Sequence, residues 1–316
     1  MRTRAQSNSK LTTNRKTKAY FFAYCRGLVD TLKEIEKFSL ARIYQPAINR
    51  FWQFCKCEDV RFEDIDQQLM MRYESHLLDS GICRNSTSFY MRNLRAMYNR
   101  AVDDGLCVDK NPFKRVYKGV DDTRKRAISI DYIKAIKRLT GLTKNEDFAR
   151  DIFLFSFSMR GMSFVDIAHL KKENIDNGII TYRRRKTKQL FKIKCEDTMK
   201  DIIAKYADEC ANSSYVFPIL KDCLKSEDDK DRRCKSALHT VNSNLYKIGC
   251  KIGLQQKLTT YVARHSWASV ANSMGISIGT ISQAMGHTSE KTTRIYLASV
   301  NTSNVDKANS KILNLL

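Results

Sequence analysis

The chain has 316 residues, of which 42% are hydrophobic, so it can bury the cores of two ordinary domains and is not a disordered chain. Its formal net charge of +22 indicates a polyanionic partner, most often nucleic acid. No run reaches the roughly 18 apolar residues of a transmembrane helix, so we expect no membrane association.

The first segment, residues 1–18, carries six Lys or Arg residues and no acidic residue. It lacks the apolar centre of a secretory signal, so we predict a basic arm, which either lies on phosphates or is a solvated tail. Ten cysteines are spread along the chain without a CxxC pair. This usage is typical of reduced, packed thiols and indicates a cytoplasmic protein.

Residues 19–108 are predicted to form a small helical bundle. The stretch "LARIYQPAINRFWQFC" places five apolar residues mostly on one helical face, namely Ile43, Ile48, Phe51, Trp52 and Phe54. A second helix begins among acidic residues and stops at Gly81. A third, "NSTSFYMRNLRAMYNRAVDDG", has an apolar face opposite Arg92, Arg95 and Arg100. The bundle therefore has a basic face.

The rest of the chain divides into three further parts. Residues 109–124, with Pro112 and Gly119, are predicted to be a linker, and 125–300 a mainly helical region. That region contains one hairpin, "GIITYRRRKTKQLFKIK", and a charged surface loop at 221–235. Residues 301–316 have the apolar spacing of an amphipathic tail helix, which packs either on its own domain or on a neighbouring protomer.

Four stretches of the second region contain the residue types that phosphate chemistry needs. In "SMRGMSFVD", Gly161 ends an apolar helix, and Ser163 and Asp166 have the spacing of a capping box. Arg160 therefore lies at a tight turn and needs an anion, which is either a ligand or the nearby carboxylate of Asp166. The hairpin presents Lys186 at its tip, beside other cations. It is either a solvated basic loop or a turn that enters a DNA groove.

The other two stretches lie closer to the carboxyl end. In "LTTYVARHSWASVANSMG", an apolar stripe leaves Tyr261 and Arg264 together on a different face; the stripe comprises Ala263, Trp267, Val270 and Met274. In "MGHTSEKTTRIY", His287 precedes Tyr296. A lone tyrosine of this kind usually belongs to a core. Two arginines and a histidine nearby would instead lower its pKa and hold a phosphate.

Together these residues suit attack on a DNA phosphodiester without a metal. Arg160 and Arg264 would clamp the non-bridging oxygens, where charge develops in the transition state. Lys186 would protonate the departing 5′ oxygen and His287 would hydrogen-bond the phosphate. Tyr296 would be the covalent attachment point.

The ordered motifs "SMRGMSFVDIAHL", "YRRRKTK", "YVARHSWAS" and "MGHTSEKTTRIY" resemble those of the tyrosine recombinase family of phage-integrase type, and most of all integrases of Bacteroides-like mobile elements. The resemblance implies a mainly α fold, with a helical SAM-like core-binding domain at 19–108 and an α+β catalytic domain with a small β-hairpin at 125–300. It implies the roles given above, cleavage through a 3′-phosphotyrosyl link, and no cofactor, metal or ATP. It also implies four protomers on two duplexes, with tails exchanged between them.

One position departs from the family pattern. The family usually has His where this chain has Tyr261, and a phenol is a much poorer base near neutral pH than an imidazole. Tyr261 can still donate a hydrogen bond to a phosphate, so we keep it as a candidate catalytic residue. His265 points away along the helix and is expected to pack or orient its neighbours.

Two rival interpretations remain. Residues 271–282 fit a helix-turn-helix pattern and would suit a regulator without catalysis, although "IGTISQAMG" has no Arg or Lys to read bases. We expect residues 276–286 to form a packed helix that positions His287. A type IB topoisomerase would share the cleavage chemistry. Metal nucleases are disfavoured because the sequence has no tight carboxylate cluster, HExxH motif or Gly-rich phosphate loop.

Overall fold

The computed structural model describes residues 20–121, 126–287 and 289–297; the side chains of 291 and 295–297 are not described. The predicted basic arm and the predicted tail helix therefore lie outside the described residues. The chain divides into two compact units, with the boundary in sequence between residues 122 and 123. It contains no helix long and apolar enough to cross a membrane.

The first unit is a bundle of four α-helices with a short 3₁₀ turn, Phe62–Asp64. The helices are α1 (Phe21–Glu34), α2 (Phe38–Phe54), α3 (Gln67–Asp79) and α4 (Arg84–Asp103). Edge-to-face aromatic contacts fill its centre, where Phe21 meets the rings of Phe22, Phe51 and Phe62. Asp66 begins α3 by accepting a hydrogen bond from the Leu69 amide, as an N-cap residue should.

The predicted apolar face of α2 is partly wrong. Ile48 and Phe51 are buried, but Ile43 is 40% exposed. Ala41 and Ala47 occupy the contact surface with the neighbouring helices instead. The helix also continues through Pro46, which lies in its interior and cannot donate the usual backbone hydrogen bond.

The segment predicted as a linker is, up to residue 121, part of the first unit. Phe113 and Val116 are buried in its core. The Ser88 hydroxyl donates to the Gly119 carbonyl at 2.6 Å, and the Tyr117 amide donates to Glu74 at 2.7 Å. Charge and turn residues predicted a linker, but two buried apolar side chains and these hydrogen bonds hold the segment on the bundle.

In the part that the structure describes, the second unit has eight α-helices, a short 3₁₀ turn (Lys172–Asn174) and a small antiparallel sheet. The helices are α5 (Ile130–Arg138), α6 (Lys144–Ser158), α7 (Phe164–Ala168), α8 (Asp197–Lys205), α9 (Glu227–Lys251), α10 (Thr260–Ser273), α11 (Ile278–Met285) and α12 (Glu290–Leu297). The strands are β1 (Ile175–Asp176), β2 (Ile179–Arg183) and β3 (Leu190–Lys194), in the order β1-β2-β3. The mainly helical fold class with its small hairpin is confirmed.

The β2–β3 hairpin and helix α6 position the candidate site. Strands β2 and β3 pair from Ile179 with Lys194 to Arg183 with Leu190, so the turn spans 184–189. Helix α6 runs through the core and is buried along Ile152, Phe153 and Phe155. It packs against both α9 and α10, and the turn after its carboxyl end lies against Arg264 of α10.

The predicted surface loop at 221–235 is wrong for its second half, because α9 begins at Glu227. Ser226 caps the helix by accepting from the Asp228 amide at 3.1 Å, and three acidic residues occupy the first turn. Acidic groups stabilise a helix amino end, and Arg232 pairs with Asp229 one turn on at 2.7 Å. Dense charge here stabilises an exposed helix rather than a loop.

Candidate active site

The turn after α6 lies directly against α10. Arg160 and Gly161 both have left-handed backbone conformations, with φ of 57° and 77°. The Gly161 amide donates to the Ser156 carbonyl at 2.8 Å. A Cβ atom on Gly161 would lie 2.7 Å from the Cα of Arg264, which is too close for any other residue. Glycine is required both for the conformation and for this contact.

Arg160 does not pair with Asp166. Its half-buried guanidinium makes no hydrogen bond or ion pair with the described residues. Asp166 accepts instead from the Ser163 hydroxyl at 2.6 Å and from the Arg185 amide at 2.8 Å. The predicted capping box is also wrong, because Ser163 begins α7 but its hydroxyl donates to a carboxylate. The alternative that Asp166 satisfies Arg160 is therefore excluded.

Arg264 is buried, although it was predicted to share with Tyr261 a face apart from the apolar stripe. It is 5% exposed, whereas Tyr261 is 44% exposed and Met274, predicted in the apolar stripe, is 74% exposed. Its Nη1 donates to the Gly161 carbonyl at 2.8 Å and its Nη2 to the Met285 carbonyl at 2.6 Å. Carbonyl groups from two distant turns thus make burial of this cation possible.

Helix α11 ends directly before His287 and fixes the position of this residue. Gly286 takes the left-handed conformation after it, with φ of 65°, and the His287 amide donates to the Ser282 carbonyl at 3.0 Å. Ile281 and Met285 are buried against Ala268 and Ala271 of α10. The prediction of a packed helix that positions His287 is confirmed, and α11 is not a free recognition helix.

His287 joins α10 to α12. Its Nε2 lies 2.9 Å from Nη2 of Arg264, which can only donate, so Nδ1 carries the proton and donates to Thr293 Oγ1 at 2.8 Å. Burial lowers the pKa of His287 to about 4, and the cations Arg264, Arg184 and Lys186 add to this effect. The ring is therefore neutral at physiological pH.

Tyr296 belongs to α12, one helical turn after Thr293, which is fully buried. Helix α12 packs against both α10 and α11. The bond from Thr293 to His287 therefore holds the backbone of this helix beside the buried arginine. The side chain of Tyr296 lies outside what the structure describes.

Lys186 is exposed at the tip of the hairpin. Its positive charge contributes to the lowered pKa of His287. The Arg184 guanidinium donates to the Gly286 carbonyl at 2.9 Å. The Arg185 guanidinium pairs with Glu227 at 2.7 Å. The hairpin is thus anchored by the two residues just before its lysine, which the sequence did not reveal.

Tyr261 and His265 form an aromatic pair on α10. Their rings meet edge to face with centroids 4.5 Å apart, and the Arg126 guanidinium lies 5.8 Å from the Tyr261 ring. Burial lowers the pKa of His265 to about 4, and the positive charges of Arg126 and Arg264 contribute to this shift. Its contacts agree with the packing role expected for it, whereas a catalytic role of Tyr261 stays a prediction.

The structure thus brings four of the predicted site residues to one region: Arg160, Lys186, Arg264 and His287. The Gly161 contact joins the first arginine turn to the second arginine, and the Arg184 bond to Gly286 joins the lysine turn to the His287 turn. Within the described ranges, no group of three or more His, Cys, Asp or Glu side chains could hold a metal ion. The arrangement concentrates cations around a neutral histidine, which suits an anionic ligand.

Comparisons with known proteins agree with this architecture. Residues 20–119 match the family model described as the phage integrase SAM-like domain, and residues 133–302 match the phage integrase family. The chain is 25% identical over 236 residues to the tyrosine recombinase XerA of Thermococcus kodakarensis, across 74% of this chain and 77% of XerA. It is 19% identical over 234 residues to XerD of Staphylococcus aureus, across 73% and 78%.

Two solved structures share the fold. A lambda integrase dimer bound to a COC′ core site aligns over 90% of this chain and 97% of that chain, with a TM-score of 0.64 and 15% identity. The Tn1549 transposon integrase in complex with a circular intermediate DNA aligns over 92% and 99%, with a TM-score of 0.64 and 12% identity. A helical SAM-like unit followed by an α+β unit with a hairpin is the architecture of integrase-type enzymes. This chain belongs to the phage integrase family of tyrosine recombinases.

Proposed function

We propose that the chain is a site-specific recombinase that cleaves one DNA strand with Tyr296 and leaves a 3′-phosphotyrosyl link and a free 5′-hydroxyl. The phosphorus–oxygen bond energy is kept in the covalent link, so rejoining needs neither ATP nor a metal. The observation that carries the proposal is the hydrogen-bonded chain from Arg264 through His287 to Thr293. It connects a buried guanidinium to the helix that contains the nucleophile.

Each side chain then has a separate task. Arg160, whose guanidinium has no partner among the described residues, and Arg264 bind the non-bridging oxygens of the scissile phosphate. Lys186 gives its proton to the departing 5′ oxygen. His287 either orients Arg264 or hydrogen-bonds the phosphate after its ring turns away from that arginine.

The partner we propose is double-stranded DNA, and the assembly four protomers on two recombination sites. Support comes from the net charge of +22 and from the solved complexes of fold relatives, which include a lambda integrase tetramer bound to a Holliday junction. We further propose that residues 301–316 exchange between protomers. From the resemblance of the motifs quoted above, we further propose that the enzyme belongs with integrases of Bacteroides-type mobile elements and acts in the cytoplasm.

The proposal predicts covalent attachment to DNA without a divalent metal. The substrate is a nicked duplex whose sequence is selected from a randomised pool by binding to this protein. Cleavage next to the nick releases a short fragment that carries the 5′-hydroxyl. Rejoining is then impossible, so the covalent link accumulates. We expect a protein–DNA band on a denaturing gel in excess EDTA. Strand breakage that needs added magnesium and leaves no such band would instead identify a metal nuclease.

Tyr261→Phe should have a small effect on cleavage, below about tenfold. The substitution keeps the ring that packs on His265 and removes only the hydroxyl group. A phenol is a poor base near neutral pH, so its loss removes at most one hydrogen bond to phosphate. The measurement is the single-turnover rate of adduct formation. A loss as complete as that of the nucleophile variant would make Tyr261 an essential proton-transfer group.

A further inference from the structure

Arg184 connects the hairpin to the turn that presents His287. Its Nη1 donates to the Gly286 carbonyl at 2.9 Å and to the Met285 carbonyl at 3.3 Å. Arg264 donates to the same Met285 carbonyl from α10. Two guanidiniums from separate elements thus meet at the carboxyl end of α11, where unpaired carbonyls and the helix dipole favour positive charge.

The backbone of Arg184 also closes the turn that contains Lys186. Its amide donates to the Gln189 carbonyl at 2.9 Å, and its carbonyl accepts from the Lys188 amide at 2.7 Å. The same residue therefore fixes the shape of the lysine turn through its backbone and the place of that turn through its side chain. The side chain is half-buried.

The far strand of the hairpin meets the same turn at very short range. A Cβ atom on Gly286 would overlap the ring of Phe191 and lie 2.7 Å from the Gln189 side-chain oxygen. Phe191 in turn stacks on Tyr182 across the strands, with centroids 5.2 Å apart. The hairpin and the His287 turn are therefore packed together, and Arg184 supplies the polar bonds of that contact.

We propose that Arg184 is a positioning residue that holds Lys186 in place to protonate the leaving group. The inference rests on the proposed function. In that reaction the Tyr296 hydroxyl releases its proton to solvent as its oxygen forms a bond to phosphorus, and the phosphorus–O5′ bond breaks. The electron pair leaves with O5′, and the Lys186 ammonium supplies the proton. Without the Arg184 bonds, the turn keeps its lysine but loses its fixed distance to the His287 side of the site.

A substrate with sulfur in place of the bridging 5′ oxygen separates this role from a general structural one. A thiolate is a far weaker base than an alkoxide and leaves without a proton. On the oxygen substrate, we expect Arg184→Ala to slow single-turnover cleavage about 10- to 100-fold and Lys186→Ala about 100-fold or more. On the sulfur substrate, both variants should cleave within about threefold of wild type.

Two further variants complete the test. Arg184→Lys keeps the charge but replaces the planar fork by a single ammonium, so its rate on the oxygen substrate should fall between those of wild type and Arg184→Ala. Lys194→Ala removes a charge from the base of the same hairpin, where Lys194 only approaches Glu196 at 3.7 Å. It should cleave both substrates like wild type. All proteins are compared at a concentration that saturates the DNA. The Tm of each variant is measured, so that a loss of folding is recognised.

The results separate this inference from the proposed function. A wild-type rate for Arg184→Ala on the oxygen substrate would overturn the positioning role and leave the proposed function standing. So would an equal loss on both substrates, because it would mean that Arg184 contacts the phosphate or supports folding. A wild-type protein that forms no adduct with either substrate would overturn the proposed function, and the inference with it.

Discussion

The Tyr296→Phe protein should bind DNA with the affinity of the wild type and form no covalent adduct with it. The substitution removes one oxygen atom, which is the atom that attacks phosphorus in the proposed reaction. Affinity comes from the many Lys and Arg residues that contact phosphates and is unchanged by the loss of a neutral hydroxyl group. The nicked substrate on a denaturing gel measures the adduct, and a native gel measures binding.

Tyr246→Phe is the matched control for this variant. Tyr246 is an exposed tyrosine on α9. Its substitution also removes a phenolic oxygen, but at a residue outside the candidate active site. The control should form the adduct at the wild-type rate. An undiminished adduct in Tyr296→Phe itself would show that another group is the nucleophile.

Arg264→Ala should abolish most cleavage and also destabilise the protein. Its guanidinium is the proposed clamp on the phosphate, and loss of one such donor typically costs about 100- to 1000-fold in rate. The substitution also leaves the carbonyls of Gly161 and Met285, and Nε2 of His287, without this buried donor. An unsatisfied buried polar group costs about 1–3 kcal/mol, so we expect Tm to fall by about 5 °C or more.

Arg160→Ala separates chemistry from folding. Its guanidinium has no partner among the described residues, so its removal should cost a similar factor in cleavage with little change in Tm. Single-turnover rates and thermal melts of the two variants give the comparison. Cleavage by Arg264→Ala within about tenfold of wild type would show that this arginine only supports the fold.

Much of the fold follows from local sequence patterns. Alternating apolar residues predicted the hairpin, and Gly81 and Gly161 marked where helices end, because a left-handed residue is needed there. The order of the four motifs predicted the candidate site. These signals depend on neighbours in sequence, which is why one chain is enough to reveal them.

The remaining features depend on partners far away in the chain. Arg264 is buried because carbonyls at Gly161 and Met285 receive it, and no helical periodicity shows this. Arg184 looked like one of several hairpin cations, yet its acceptor at Gly286 is 102 positions later. The start of α9 was predicted as a loop because it is rich in charge. Its charged side chains interact with one another within the helix and need no distant partner.

The central claim is that Tyr296 becomes covalently joined to DNA, and peptide mapping of the trapped complex tests it most directly. After nuclease and trypsin digestion, Tyr296 lies in the peptide from Ile295 to Lys307, which contains no other tyrosine. We predict that this peptide carries the mass of a 3′-phosphonucleotide, located on Tyr296 by fragmentation. The account is contradicted if this peptide is recovered unmodified while another residue, such as Tyr261, carries the nucleotide.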